Sequence, residues 1–177
     1  MNQTPPHRAL LLLDFQEDFL SHNGRMPVAQ HQVKPVLAMA RQSMIDAARD
    51  GDFVAAIGNE FKRNAHFTNF LRRGASLEGS PGSRWTSELP LGAVPYFAKW
   101  SRSAFVNHEF ASWLTENRVG TVALAGLQAK ACIAATAKDA LARHLRVELI
   151  SSAIACVSDK SRERALARLS RRGAVII

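Results

Sequence analysis

Residues 120–144 read GTVALAGLQAKACIAATAKDALARH, and the fold follows from how this stretch is parsed. Val122-Ala123-Leu124-Ala125 is a short run of small and branched apolar residues, suited to a strand buried on both faces. Gly126 ends it. From Lys130 onward the apolar residues return at helical spacing (Ala131, Ala134, Ala135, Ala137, Ala140, Leu141), and alanine is the strongest helix former. Cys132 therefore falls in the first turn of a helix that follows a strand and a short turn. Unpaired N–H groups and the positive dipole end gather there and favour a thiolate over a thiol. A free thiol titrates near 8.5, so a drop of roughly one or two units makes a nucleophile at neutral pH. The same cysteine also reads as a small buried hydrophobe in an Ala-rich segment.

Working outward, strand-like runs and helical patterns alternate along the chain. Ala9 to Leu13 is apolar and stops at Asp14; a helix is expected over 27–48, with Val33, Val36, Leu37, Met44, Ile45 and Ala48 on one side. A second strand, Phe53 to Ile57, stops at Gly58-Asn59-Glu60. Residues 61–95 break the rhythm with seven glycines and prolines between Gly74 and Pro95. So long an irregular connection is usually a functional loop, here with a helical turn near His66 to Leu71. A third strand is expected at Tyr96 to Ala98, stopping at Lys99, and a helix at 107–117. Beyond the opening stretch come a strand at Arg146 to Ile150, a helix at 158–171 and a closing strand at Ala174 to Ile177. This alternation predicts an α/β fold, a doubly wound, mostly parallel six-stranded sheet with helices on both faces. One domain over 1–177 accommodates it as a Rossmann-like three-layer sandwich. Ligands bind such sheets beyond the carboxyl ends of the strands, where Asp14, Asn59, Glu60, Lys99 and the turn before Cys132 all lie.

Composition narrows the function classes. The chain has 177 residues, 47% hydrophobic and 21% charged, with a mean hydropathy of −0.10, which is ordinary for a globular protein. No apolar run reaches membrane-spanning length, and MNQTPPHR lacks the basic-then-apolar order of a signal peptide. Two cysteines, Cys132 and Cys156, make no disulfide scaffold and show no metal-ligand spacing, so a reducing, cytoplasmic setting is expected. Cys156 reads as a buried, inert thiol. The net charge of +8 raises the question of nucleic acid. Yet the densest basic run, 160–172, alternates with Ala and Leu at helical spacing and reads as the solvated face of an amphipathic helix. No basic–aromatic interleaving suggests a base-stacking platform. The expectation is no nucleic-acid partner and no membrane; the charge supports solubility or attracts an anionic substrate.

Asp14 by itself reads as a strand-end cap, and Lys99, between Ala98 and Trp100, as an exposed lysine. Together with Cys132 they describe chemistry. A buried carboxylate can take the thiol proton, while the ammonium holds that carboxylate and favours the thiolate. Desolvation raises both the Asp and the Cys pKa, so a nearby cation is physically needed. Asn59 and Glu60 read either as solvated turn residues or as site residues, Asn59 bonding a substrate amide and Glu60 holding an amine or a neighbouring backbone. Phe15, Phe61, Trp85 and Trp100 are candidates for lining the pocket, with ordinary packing as the other reading. The Gly79-Ser80-Pro81-Gly82 turn is no phosphate cradle, since no helix-opening Gly-Lys-Ser/Thr follows.

The segments LLLLDFQEDFL (10–20), YFAKWSRSAF (96–105) and AGLQAKACIAATAKDAL (125–141) resemble, in this order and at comparable separations, the isochorismatase-like cysteine hydrolases. That superfamily includes nicotinamidases, N-carbamoylsarcosine amidohydrolases and related small-amide hydrolases, and the resemblance runs from Leu10 to the Ile176-Ile177 terminus. It implies a catalytic triad of Asp14, Lys99 and Cys132. It also implies a non-proline cis peptide at Leu127–Gln128, with the backbone N–H groups of Gln128 and Cys132 as the oxyanion hole. Phe15, Gln16, Asn59, Glu60, Phe61, Trp100 and Leu127 become the expected substrate-binding positions. Homo-oligomers, dimers or larger, are implied as well.

Departures from the family pattern sharpen the expectation. Ala129-Lys130 stands where members more often carry Thr-Asp or similar polar residues. Nicotinamidases hold a metal with an Asp-x-His and a further His; here the matching strand end reads Asn59-Glu60-Phe61, and His66 and His108 lie too far along. No catalytic metal and no cofactor are therefore expected, and nicotinamide itself is disfavoured. The leading expectation is a cysteine-dependent hydrolase of a small carboxamide, carbamoyl or ureido compound, acting through a thioester. The alternatives are an isochorismatase-type hydrolase of a non-amide bond, with Cys132 as a bystander, and a catalytically idle binding module of the same fold.

Overall fold

The computed structural model of the chain describes residues 6–64 and 66–177, and the side chains of 66–68 lie outside that description. Six strands form one sheet: β1 (His7–Leu13), β2 (Phe53–Asn59), β3 (Tyr96–Lys99), β4 (Val119–Leu127), β5 (Arg146–Ala155) and β6 (Val175–Ile176). Their order is β3-β2-β1-β4-β5-β6, and every neighbouring pair is parallel. The sheet is thus doubly wound, with its topological switch point between β1 and β4.

The four leucines of β1 show why an unbroken apolar run builds such a sheet. Side chains alternate across a strand. Leu10 and Leu12 join one core with Val36, Leu37 and Ala40 of the helix α2 (Gln30–Asp50). Leu11 and Leu13 join the other core, with Phe110, Ala137 and Leu166. Those three come from α4 (His108–Glu116), α5 (Ala134–Ala142) and α6 (Asp159–Ser170). All four leucines are buried. The short helices α1 (Glu17–Leu20) and α3 (His66–Leu71) sit in the connections beyond the strand ends.

Element boundaries moved where polar residues hid the pattern. The fifth strand runs on to Ala155, past the expected stop at Ile150, because a bulge absorbs the serines at 151 and 152. Leu124 pairs with Leu149, yet Gly126 pairs with Ile154. Ser151 donates its hydroxyl to the Ile177 carbonyl at 3.0 Å, so its polar group is satisfied at the sheet's edge. Helix α2 starts at Gln30, not at Pro27.

The long connection over 61–95 is stapled by two residues of the first strand-end turn. Gln16 is fully buried. Its amide donates to the carbonyls of Asn59 (2.8 Å) and Ser83 (2.6 Å), and its side-chain oxygen accepts from the Asn59 N–H (2.8 Å). Asp18 accepts from the N–H groups of Ser76 (2.7 Å) and Arg25 (3.2 Å). Gly82 lies so close that any Cβ there would strike the Asp18 carboxylate. These bonds satisfy buried backbone groups that a loop of this length otherwise leaves unpaired.

Candidate active site

Four strand ends converge on one sulfur. Asp14 follows β1 in the left-handed region (φ 61°), a conformation aspartate tolerates better than most residues. Its N–H donates to the Ile57 carbonyl (2.8 Å) and its carbonyl accepts from the Gln16 N–H (2.7 Å), which ends the strand and fixes the carboxylate at the sheet edge. Across the switch point, Gly126 of β4 sits at φ 133°, and any side chain there would collide with the Leu13 backbone. Only glycine lets the ends of β1 and β4 approach this closely. The Leu127–Gln128 peptide that follows is cis.

Cys132 lies not in a regular first helical turn but in a wider turn of π-helix type, Ala129–Ile133, which precedes α5. Its signature is the Ile133 N–H reaching back five residues to the Gln128 carbonyl (3.4 Å). Such turns recur at functional sites. Thr136 braces the arrangement from α5, its hydroxyl accepting from the Ala104 N–H (3.1 Å).

Lys99 is the hub. It is fully buried, contrary to the exposed lysine its flanks suggest, because β3 ends against the loop carrying Ser101. Its Nζ donates to Asp14 Oδ2 (3.1 Å), Asn59 Oδ1 (2.6 Å) and the Ser101 carbonyl (3.3 Å), and lies 3.4 Å from Cys132 Sγ. Three ammonium N–H groups thus meet four acceptors, which holds the cation in place. Asn59 completes the ring, with Nδ2 3.7 Å from Sγ. Asp14 Oδ1 is buried and accepts no hydrogen bond from the described residues. It is an open acceptor on a carboxyl that neighbours the Cys132 thiol.

The electrostatics correct the expectation of a preformed thiolate. Burial pushes the Cys132 thiol from 9.0 up to about 11; the Asp14 charge acts the same way, and the charge of Lys99 opposes both without prevailing. Burial also raises the Asp14 carboxyl, against the pull of Lys99. Burial and the Asp14 charge both favour a thiol at Cys132 beside the Asp14–Lys99 pair over a thiolate, and the thiol and the carboxyl titrate as a unit. A pH prediction follows. The folded-state thiol pKa lies above its unfolded value, so its contribution to stability is full below about pH 9 and is withdrawn as pH rises through 11. In denaturant titrations the wild-type protein should lose about 2–3 kcal/mol more than Cys132→Ala between those limits. Parallel losses in the two proteins would show that this sulfur ionises as freely as in the unfolded chain.

A cavity of about 630 Å³ opens over the centre, and Asp14, Asn59, Phe61, Leu127, Gln128 and Cys132 contribute to its wall. Other expected lining residues lie elsewhere. Phe15 is fully buried in the core, edge-on to Trp85 at 5.8 Å between ring centroids, because the left-handed turn at Asp14 points it under the sheet. Gln16 is taken up by backbone groups. Trp100 is half exposed and outside the cavity, since Lys99 occupies the inward position of that strand end. Glu60 accepts from the Tyr96 hydroxyl (2.9 Å) and shares a separate depression with Trp85. Asn59 bonds Lys99 and Cys132 rather than standing open for a substrate. Arg72, Arg102, Lys130, Ser101, Met26 and Phe19 line the cavity without any sequence pattern that singled them out. They reach it through the irregular connections that the strand rhythm leaves unread.

Among the described residues, the end of β2 gathers no metal-binding donor set. Asn59 is bonded within the centre, Glu60 turns to Tyr96, and Phe61 carries the Arg72 guanidinium over its ring at 3.5 Å. Among the described residues no group of three or more His, Cys, Asp or Glu side chains is gathered as ligands. No described helix is long and apolar enough to cross a membrane.

The family model of the isochorismatase domain matches residues 8–177. Among solved structures, the pyrazinamidase of Pyrococcus horikoshii in complex with zinc is 28% identical, with a TM-score of 0.83 over 97% of this chain and 99% of that one. N-carbamoylsarcosine amidase from Thermoplasma acidophilum is 26% identical, with a TM-score of 0.82 over 96% and 95%. The pyrazinamidase/nicotinamidase of Streptococcus mutans UA159 shares the fold, at 24% identity and a TM-score of 0.86 over 96% and 99%. No curated protein matches the chain.

Proposed function

Since the chain belongs to the isochorismatase family, we propose that it is a cysteine-dependent hydrolase of a small carboxamide, carbamoyl or ureido compound. One observation carries the reading: the buried network in which Lys99 bonds Asp14 and Asn59 and touches Cys132 Sγ. A lysine buried among polar partners behind a cavity wall is costly to desolvate, and chemistry gives a reason for it. The pyrazinamidase and the N-carbamoylsarcosine amidase, both above one-quarter identity, support an amide as the bond attacked.

Cys132 Sγ attacks the carbonyl carbon of the bound substrate while its proton passes to the open Oδ1 of Asp14. Attack and proton transfer are coupled, which suits a thiol held above its ordinary pKa. The carbonyl oxygen, now carrying the charge, accepts from the backbone N–H groups of Gln128 and Cys132; such a donor contributes about 3 kcal/mol to a transition state. The tetrahedral centre collapses, the C–N bond breaks, and the leaving nitrogen takes the proton from Asp14. A water molecule then gives a proton to Asp14 and attacks the thioester carbonyl. The C–S bond breaks, the acid product leaves, and the proton returns to Sγ. Throughout, Lys99 holds the carboxylate and lowers the energy of negative charge on oxygen and sulfur.

Ammonia release from a panel of small amides and ureas, with and without a chelator, tests the assignment. Turnover of at least one carbonyl C–N substrate, equal in both arms, is the expected result. Silence toward all of them with turnover of a vinyl ether would move the protein to the non-amide branch, and activity lost to the chelator would overturn the reading of the β2 end.

A further inference from the structure

The cavity over Cys132 carries positive charge that the hydrolytic steps do not use. Arg72, Arg102 and Lys130 line it, against one carboxylate, Asp14, which is already paired with Lys99. Among the described residues none of these three cations makes an ion pair. Arg72 is fixed in place, its Cζ seated 3.5 Å over the Phe61 ring. Phe61 is itself pinned by its N–H to the Ser76 carbonyl (2.9 Å) and its carbonyl to the Glu78 N–H (3.0 Å). Burial holds the Arg72 guanidinium below its ordinary range; negative charge developing at Cys132 when its thiol ionises opposes that shift, and the positive charge of Arg102 adds to it. Arg72, partly buried, thus faces a second guanidinium, the exposed Arg102, on the same cavity wall with no counter-charge between them.

The charge also extends outward. Arg102 and Lys130 pass from the cavity into an adjoining groove of about 440 Å³ between α5 and α6, where Lys138, Arg164, Arg168 and Arg172 line the walls and no carboxylate does. A cleft walled by one sign of charge concentrates the opposite sign at its end. Here that end is the sulfur.

We propose that the substrate is anionic: a small carboxamide or ureido compound bearing a carboxylate at the end away from the scissile carbonyl, bound by Arg72 and Arg102. The inference rests on the hydrolytic reading of Cys132 and adds its substrate class. A carboxylate fits the planar forks of two guanidiniums and relieves their repulsion. A neutral amide leaves Arg72 partly desolvated and without a counter-charge.

Protection of Cys132 tests this without knowledge of the natural substrate. The enzyme is alkylated with iodoacetamide at pH 9 while succinamate or its near-isosteric neutral partner, succinamide, is added, and labelling is read on the Cys132 peptide by mass spectrometry. Succinamate should halve the rate at a concentration at least about tenfold lower than succinamide, the worth of one good charge-assisted contact. In the double variant Arg72→Gln/Arg102→Gln the two should converge, and Arg72→Lys with Arg102 intact should keep part of the preference. Equal protection by the two compounds in the wild-type enzyme, or a preference that survives the double variant, overturns the inference while leaving the hydrolase reading intact. Turnover retained by Cys132→Ala overturns the hydrolase reading without touching the protection ratio. A sulfur that iodoacetamide does not reach at pH 9 removes both.

Discussion

Replacing Cys132 by alanine should lower kcat by at least about a thousandfold while leaving the protein folded. The size of the effect comes from role rather than packing. The sulfur touches both the lysine and the asparagine of the buried network, and without it no thioester forms. The fold should tolerate the change because Lys99 keeps Asp14, Asn59 and the Ser101 carbonyl as partners, and the site opens onto a cavity rather than sealed core. Cys132→Ser should be almost as inactive, since a hydroxyl is far less acidic than a thiol and the base is the same. The check is kcat on a substrate found by ammonia release, with thermal unfolding in parallel. Wild-type turnover in the alanine variant would assign the reaction to Asp14 acting on water directly.

Lys99→Met should be the most damaging single change, acting on stability and catalysis together. It leaves Asp14 buried without its counter-charge and Asn59 Oδ1 without its donor, in a place where neither reaches water. Breaking a buried pair from one side costs about 3–5 kcal/mol. Part of that is avoided because the carboxyl can protonate. Burial already raises its pKa, with Lys99 as the main opposing influence, so removing the lysine raises it further. A folded-state pKa above the unfolded one means stability present at low pH and lost as pH rises. The stability deficit of Lys99→Met should therefore be smaller at pH 5 than at pH 8, as read by denaturant titration. A protonated Asp14 is no base, so turnover should fall by about a thousandfold. Adding Asp14→Asn should restore much of the stability and none of the turnover. A double variant as unstable as the single one would mean that Lys99 supports the fold by some route other than this carboxylate.

The two effects separate what the network does. Cys132 supplies reactivity and is expendable for folding; Lys99 is required by both. That asymmetry follows from burial. A thiol costs little to bury in its neutral form, whereas a carboxylate and an ammonium at the same depth must stay together.

How far the chain could be read without coordinates depended on whether a residue's role was carried by its strand. The β1 leucines, the alanines of α5 and the glycine near the end of β4 set the sheet, its parallel strands and the edge where ligands bind. Short-range patterns decide those features: period two for a strand, 3.6 for a helix, a stop at each carboxyl end. Strand ends also brought Asp14, Asn59, Lys99 and Cys132 into one list, because a doubly wound sheet aligns all its carboxyl ends. In β5 the same logic stopped five residues short, since a bulge places serines where alternation looks for apolar side chains.

By itself, then, the sequence determined the architecture and the edge of the sheet at which chemistry is possible. Only the tertiary structure decided what each residue there does. It turned Phe15, Gln16, Glu60 and Trp100 away from the cavity, buried Lys99 as the hub, and raised the pKa of the Cys132 thiol rather than lowering it. It also brought Arg72 and Arg102, thirty positions apart in the chain, to the same wall. The reason is physical: periodicity sets which face a residue takes on its own element, but burial, charge balance and the aim of a side chain past a strand end depend on what the irregular connections lay against it.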